Sequence, residues 1–414
     1  MKQMLLLTAA LLMCCGAQSQ YWRPVTSGTN KQLASISFGS PQVGYISGSD
    51  SLLLRSLDGG VSWNVLHLTG LNMTFATPDI IHVNFISAAT GYAIVGRLDN
   101  PVYSGVLYRT NDSGKTWSHV VTGNIAASRT FFFDADNGYE IGSAFFAGKT
   151  IIRQSGGVWG MEKTLSFDPS QFLYGIDFRN AQTGIVGGHN GYVHRTFNSG
   201  TTWDTVKTIV DSTINDLKFL NDRTIMAGTD DDGGGILVSY DTGRTWQVDF
   251  NTLTFAYPDI KGLAVSGRDS FIAVGHTSFG NTGIILWQDG AFANNFMTTQ
   301  RLNAVTMRDD SVAYIVGDSG TIFTNRQSVL GVLPGGGRAA QLTLYPNPAA
   351  GICYTQAAYT HTLRLYDATG RLVRERPRPA LTHTIELGDL CPGVYMLQSS
   401  SGQGETAYQK LVVE

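Results

Sequence analysis

The sequence predicts an all-β protein: seven repeated units, followed by a small second β domain. Three observations predict it. Glycine contributes 48 of 414 residues while charged residues make up only 15%, a turn-rich balance that disfavours helices. Short apolar stretches alternate with period two and are cut by Gly, Asn and Asp. One such unit recurs from Leu33 to Arg326, at a spacing within the ~20–50 residues of repeat architectures. With 43% hydrophobic residues the chain can bury one large core or several smaller ones.

In chain order, the first segment reads as a secretory signal peptide over residues 1–19. Lys2 precedes an apolar stretch from Met4 to Met13, and Ala17 and Ser19 stand at the -3 and -1 positions of a cleavage before Gln20. A lipid anchor at Cys14 or Cys15 is disfavoured, because Met13 and Cys14 stand where a small residue is needed. Beyond the signal no apolar run approaches the ~18 residues of a membrane span. The net charge of -3 leaves no basic stripe for nucleic acid.

Each repeated unit opens on an alternating triplet, from Ile36-Ser37-Phe38 and Val83-Asn84-Phe85 through Ile176-Asp177-Phe178 to Val305-Thr306-Met307. An apolar run ending in glycine follows: Gly48, Gly96, Gly142, Gly187, Gly228, Gly275 and Gly317. A third short strand then leads into a tight turn closing on Trp. Four turns fit the pattern S/T-x-D/N-x-G-x-S/T-W: Ser56 to Trp63, Thr110 to Trp117, Thr196 to Trp203 and Ser239 to Trp246. The carboxylate or amide (Asp58, Asp112, Asn198, Asp241) accepts N–H bonds inside the turn. The glycine (Gly60, Gly114, Gly200, Gly243) supplies positive φ, and the indole (Trp63, Trp117, Trp203, Trp246) buries a large ring whose N–H can reach a carbonyl. The pattern decays at Gln154 to Trp159, at Trp287 to Phe292 and at Thr324-Asn325-Arg326, where looser hairpins are expected.

The seventh unit lacks its outer strand, and an unpaired edge invites aggregation. Tyr21-Trp22-Arg23-Pro24-Val25 supplies the missing piece: Trp22 precedes Trp63 by 41 residues, matching the other Trp spacings. The N-terminal end of the mature chain is therefore expected to close the ring.

The four turns resemble the Asp-box, or BNR, repeat of sialidase-like β-propellers, and the whole unit resembles the propellers of photosystem II assembly factor-like proteins. The resemblance implies a seven-bladed β-propeller over residues 20–333. Asp-box enzymes of the sialidase type carry an Arg triad, a Tyr–Glu nucleophile pair and an Arg-Ile-Pro motif. Here Arg23-Pro24 lacks the Ile, and the box itself is structural, so it brings no activity with it.

A Gly/Pro linker over 334–340 separates a second domain at 341–414. Its segments Leu342 to Ala349, Leu363 to Val373, Leu390 to Leu397 and Lys410 to Val413 alternate like a compact immunoglobulin-like β-sandwich. They resemble the type A sorting domain of the type IX secretion system of Bacteroidetes, particularly Tyr345-Pro346-Asn347-Pro348 and Pro392-Gly393-Val394-Tyr395. That resemblance implies export through the periplasm and across the outer membrane. It further implies recognition by the translocon and a sortase-like peptidase, and release or surface attachment. Cys353 and Cys391 both fall here, and an oxidising compartment makes a bridge between them the expectation.

No cofactor loop, zinc-spaced set or nucleophile elbow stands out, so no cofactor and no metal are expected. His189 and His194 are spaced across a turn, and Asp230-Asp231-Asp232 lacks the alternating ligands of a calcium loop. One motif stands outside the strand repeat. Asn72 to Ile80 recurs as Asn251 to Ile260, placing Phe75 with Asp79, and Phe255 and Tyr257 with Asp259, on loops entering the second and sixth units. An aromatic beside a carboxylate suits a sugar ring or a peptide, on the face opposite the Asp-boxes. The bland reading, that both merely plug the joints or record a duplication, stands ahead of it. The four stretches Asp50-Ser51-Leu52, Asp204-Thr205-Val206, Asp211-Ser212-Thr213 and Asp310-Ser311-Val312 are short matches to a Bacteroidetes O-glycosylation acceptor.

The expected function is a secreted or cell-surface, non-catalytic propeller binding an extracellular glycan or protein. The alternative is a sialidase-like or endo-glucanase-like glycoside hydrolase, or a lyase, using Asp79, Asp259 or a neighbouring carboxylate. Such chemistry needs two carboxyl groups some ~5–9.5 Å apart.

Overall fold

The computed structural model describes residues 22–71, 78–98, 105–122, 125–144, 148–165, 171–230, 235–249, 258–266, 270–277, 282–289, 292–326, 342–345, 349, 351–367, 371–401 and 406–414. The all-β expectation holds: the regular elements among these residues are strands and two short 3-10 turns. The chain divides into a unit spanning Trp22–Arg326 and a second that contains Gln327–Glu414.

The larger unit contains seven four-stranded antiparallel sheets among the described residues. The first runs Leu33–Phe38, Gly44–Gly48, Leu53–Ser56, Asn64–Val65. The others open on Asp79–Phe85, Ile125–Asp134, Leu173–Phe178, Ile214–Phe219, Asp259–Ser266 and Leu302–Met307. Each opening strand packs against the opening strand of the next sheet, and the seventh packs against the first. The circle is sealed by Arg23–Pro24, which pairs antiparallel with Ile322–Thr324 as the fourth strand of the seventh sheet. Trp22, fully buried, packs there with Ile272 and Val274 of the sixth sheet and meets Trp287 edge-on at 6.0 Å.

A bulge recurs at one place in all seven sheets. The ladder between first and second strands skips a residue between Leu33 and Ser35, and likewise at Ile80/His82, Ala127/Arg129, Leu173/Gly175, Ile214/Asp216, Ile260/Gly262 and Leu302/Ala304. Such a bulge bends the strand and brings two backbones together. This explains most of the glycines that end the second apolar run. A Cβ added to Gly48, Gly142, Gly275 or Gly317 would stand only 1.9–2.1 Å from a carbonyl oxygen just before the bulge. Skipped residues also tie neighbouring sheets: Ser128, Asn215 and Asn303 donate to Leu173, Ile260 and Leu33 carbonyls at 2.5, 2.9 and 2.8 Å.

The eight-residue turns lock successive sheets. Trp63 packs on Tyr314 of the seventh sheet, Trp117 on Tyr45 and Leu53 of the first, and Trp246 on Ile185 of the fourth. The residue before each turn glycine holds positive φ at Gly59, Ser113, Ser199 and Thr242. Its carbonyl is gripped by a guanidinium from the preceding sheet: Arg326, Arg55, Arg153 and Arg195 donate at 3.2, 3.4, 3.0 and 3.1 Å.

The decayed hairpins differ from expectation. Rather than loosening, the third and sixth sheets carry the longest outer strands, Val158–Thr164 and Phe292–Thr298, seven residues each against two to four elsewhere. In the third sheet the hairpin closes on Gly156 and Gly157, both at positive φ, and keeps its indole, Trp159, edge-on to Tyr92 and Phe132, while the two backbones continue pairing, as they also do in the sixth sheet.

In the second unit, Leu342–Tyr345, Ile352–Tyr366, Gly393–Ser401 and Thr406–Val413 form one sheet, with Leu372–Glu386 pairing along Ile352–Tyr366. Register jumps between Gln356 and Leu363 bend the long strands. Cys353 and Ile385 from one half and Leu363, Leu365, Leu397 and Leu411 from the other thereby share one core. The last residues belong to it: Leu411 is fully buried, and the Glu414 N–H donates to Ala349 O at 3.0 Å. The expected Cys353–Cys391 bridge is not made. Cys353 points into the core, whereas Cys391 lies exposed in the turn before Gly393.

Candidate functional site

Carboxylates come first, because hydrolysis would need them. In the turn from Thr110 to Trp117, Asp112 Oδ1 accepts the Thr116 N–H at 2.9 Å and the Thr110 hydroxyl at 2.9 Å, while Oδ2 accepts the Thr116 hydroxyl at 2.6 Å. The Gly114 N–H donates to Thr110 Oγ1 at 3.0 Å. Asp58 and Asp241 repeat this net, and Asn198 reproduces it with its amide, accepting from Thr202 N–H and donating to Thr202 Oγ1, both at 2.9 Å. The Thr116 hydroxyl and N–H hold the Asp112 carboxyl down at about 2, and the Thr245 bonds, working against burial, do the same for Asp241. The indole N–H reaches the turn-glycine carbonyl for Trp117 and Trp246, at 2.9 and 3.0 Å, but is unpartnered for Trp63 and Trp203. These groups hold the turns together.

Of the repeated-loop residues, Phe75, Phe255 and Tyr257 lie outside the described residues. Asp79 and Asp259 begin the opening strands of the second and sixth sheets. Both serve the backbone or a neighbour: Asp79 accepts the Asp50 and Leu98 N–H groups at 2.9 and 2.7 Å. Asp259 is buried, 2.9 Å from Lys261 Nζ and 3.4 Å from His276 Nε2, and accepts from Asn215 at 3.1 Å. His189 lies 3.2 Å from Tyr174 Oη, and His194 lies 2.9 Å from Thr205 Oγ1. No group of three potential metal-binding side chains occurs among the described residues.

A charged cluster on the opening strands escaped the sequence reading. Arg129 of the third sheet reaches Asp216 of the fifth at 2.9 Å, passing the fourth sheet where Gly175 has no side chain. Lys218 stands 3.2 Å from the same carboxylate, which also accepts the Leu217 and Leu263 N–H groups at 2.9 and 3.0 Å. Burial acts to raise the Asp216 carboxyl, but Lys218 and Arg129 outweigh it and hold it below the usual range. Burial, reinforced by Arg129, drives the His82 imidazole down to about 3, so it is neutral at physiological pH.

One oxygen of Asp177 accepts the Phe219 N–H at 2.8 Å, and burial lifts its carboxyl to about 6. It stands at one wall of a cavity of about 670 Å³ between the fourth and fifth sheets. Rings of Phe178, Phe219 and Tyr240 also wall the cavity, together with Arg179 and Arg223. Asn221, Asp222 and Thr224, from the loop joining the first two strands of the fifth sheet, complete the lining. Arg179 is fixed on the Asp222 carbonyl at 2.7 Å. Arg223 is exposed, and Tyr240 is 61% exposed. Tyr240 is the second residue of an eight-residue turn, so the cavity opens on the face of those turns, not on the face predicted for binding. A sequence signal existed: Asp177 and Lys218 are the charged middles of triplets whose other middles carry no charge.

Residues 343–414 match the secretion system C-terminal sorting domain, and residues 15–124 match the family described as photosynthesis system II assembly factor YCF48. The photosystem II assembly lipoprotein Ycf48 of Synechococcus sp. (strain CC9902) is 26% identical over 224 residues, 53% of this chain. The match spans 62% of that relative's length, short of two thirds. Among solved structures, YCF48 bound to D1 peptide is 14% identical, with a TM-score of 0.58 over 74% of this chain and 95% of that one. YCF48 from Cyanidioschyzon merolae is 14% identical, with a TM-score of 0.57 over 73% and 98%. The WD40 repeats of RRP9 are 10% identical, at 0.55 over 74% and 97%. These structures speak for the propeller fold alone. The chain thus carries a YCF48-like region and a secretion-system sorting domain, which marks a secreted or cell-surface protein.

Proposed function

We propose that this chain is a non-catalytic, seven-bladed propeller exported by a type IX secretion system to hold an extracellular glycan or protein ligand. The sorting-domain match over residues 343–414 carries the export half of the reading. The translocon and a sortase-like peptidase would read that domain after passage through the periplasm, with surface attachment or release to follow. The binding half is supported by the way the site carboxylates are spent. Asp58, Asp112 and Asp241 tie turns, and Asp79 tethers backbone. A family relationship to an assembly factor, and a neighbour in structure that holds a peptide, point the same way.

The test is a screen of the full chain on arrayed polysaccharides and glycoproteins, scoring retention and product release separately. Retention without release is expected. Release of shortened sugar would overturn the non-catalytic reading. Export is tested by deleting residues 341–414, which should leave the propeller inside the cell; secretion at the normal level would refute that half.

A further inference from the structure

We propose that the cavity between the fourth and fifth sheets is a binding site for an acidic sugar, a saccharide carrying a carboxylate. The inference rests on the ligand-binding reading above and supplies its ligand class. Three features carry it. The lining contains aromatic rings and planar polar groups but no aliphatic side chain. Of these rings Phe178 is buried and stacked on Tyr139, whereas Tyr240, 61% exposed, can offer a flat face to the C–H face of a pyranose, and Asp, Asn and Arg pair with vicinal hydroxyls. A peptide would instead use a sheet edge or an apolar slot, and the outer strands of the fourth and fifth sheets, Asp204–Lys207 and Gln247–Val248, are only four and two residues long and contribute no residue to the lining.

Charge then selects among sugars. Arg179 is committed to the Asp222 carbonyl and lies 3.8 Å from its carboxylate. The Arg223 guanidinium, exposed at the rim, makes no hydrogen bond or ion pair among the described residues. A guanidinium fork matches a carboxylate bidentately. In this arrangement the sugar carboxylate meets Arg223, its ring lies against Tyr240, and its hydroxyls face Asn221. The volume of about 670 Å³ is within the range of small-ligand sites.

The experiment is calorimetric titration of the full chain with trigalacturonate and, in a parallel arm, 3′-sialyllactose; galactotriose and lactose are the neutral controls. Saturable binding in at least one acidic arm and none of the neutral sugars is expected. Arg223→Ala and Tyr240→Ala should each weaken the acidic arm by about 10-fold or more. Both residues are exposed, so an unchanged melting temperature separates lost contact from lost fold. Equal binding of the neutral sugar overturns the charge assignment, and binding that survives both substitutions overturns the site. Binding in neither acidic arm overturns this inference. It leaves the broader reading standing if the arrayed ligands still retain the protein, whereas sugar shortening during titration overturns both.

Discussion

Glu140 should make the protein lose stability as the pH rises toward neutrality. Its side chain is 1% exposed, on the second strand of the third sheet, between its ladder partners Thr130 and Ile152. Oε2 has no hydrogen-bond partner. Burial lifts the carboxyl from 4.5 to about 7, opposed only by the Thr122 side chain. The folded protein therefore holds this proton more tightly than the unfolded chain does. The stability of the protonated form is complete below the unfolded value of 4.5 and is lost as pH climbs to about 7. A gap of some 2.5 pKa units corresponds to about 3 kcal/mol, of which roughly 2.5 kcal/mol falls between pH 5 and 8. Glu140→Gln keeps the shape and removes the titration. Urea unfolding of both proteins at pH 5, 6, 7 and 8 measures the difference. The wild type should fall against the variant by about that amount, with the variant the more stable at pH 8. Parallel profiles would show that Glu140 is charged and solvated in the fold, refuting the reasoning.

Other expectations follow from the same geometry. At Gly60 (φ +85°) a Cβ would meet the Tyr314 ring at 2.4 Å, whereas at Gly156 nothing lies within 4 Å. Gly60→Ala should therefore cost about 2–4 kcal/mol and Gly156→Ala about 1 kcal/mol in chemical unfolding, and equal costs would refute the turn–sheet contact. Trp22→Ala empties a fully buried position at the ring closure. A loss of about 3–5 kcal/mol is expected, with self-association visible in light scattering; an unaltered unfolding curve would mean the closure contributes nothing. Because Asn198 reproduces the turn net, Asp112→Asn should cost less than ~1 kcal/mol and Asp112→Ala about 2 kcal/mol by thermal unfolding, and the reverse order would sink the hydrogen-bond account.

Much of the architecture was legible because each unit repeats the same local solution. The turn pattern named its own hydrogen bonds, but that most of the glycines ending the second apolar run face a backbone carbonyl at a bulge came only from the structure. Trp22 announced the closure by its spacing alone. The site was less legible. Asp79 and Asp259 were picked out by a recurring motif, yet the motif could not say that their oxygens are taken by backbone N–H groups and by Lys261 and Asn215. Asp177, Arg179, Arg223 and Tyr240 come from three separate stretches of chain and share no motif.

By itself, then, the sequence determined the strand pattern, the turns, the closing N-terminal strand and the export signature, because those depend on residues near one another or on a period that recurs. Tertiary structure alone decided which charges neutralise one another across the opening strands, and which side of the ring carries a cavity. It also decided that Glu140 sits dry. Electrostatics and burial depend on distances between sheets, and those distances exist only once the circle has closed.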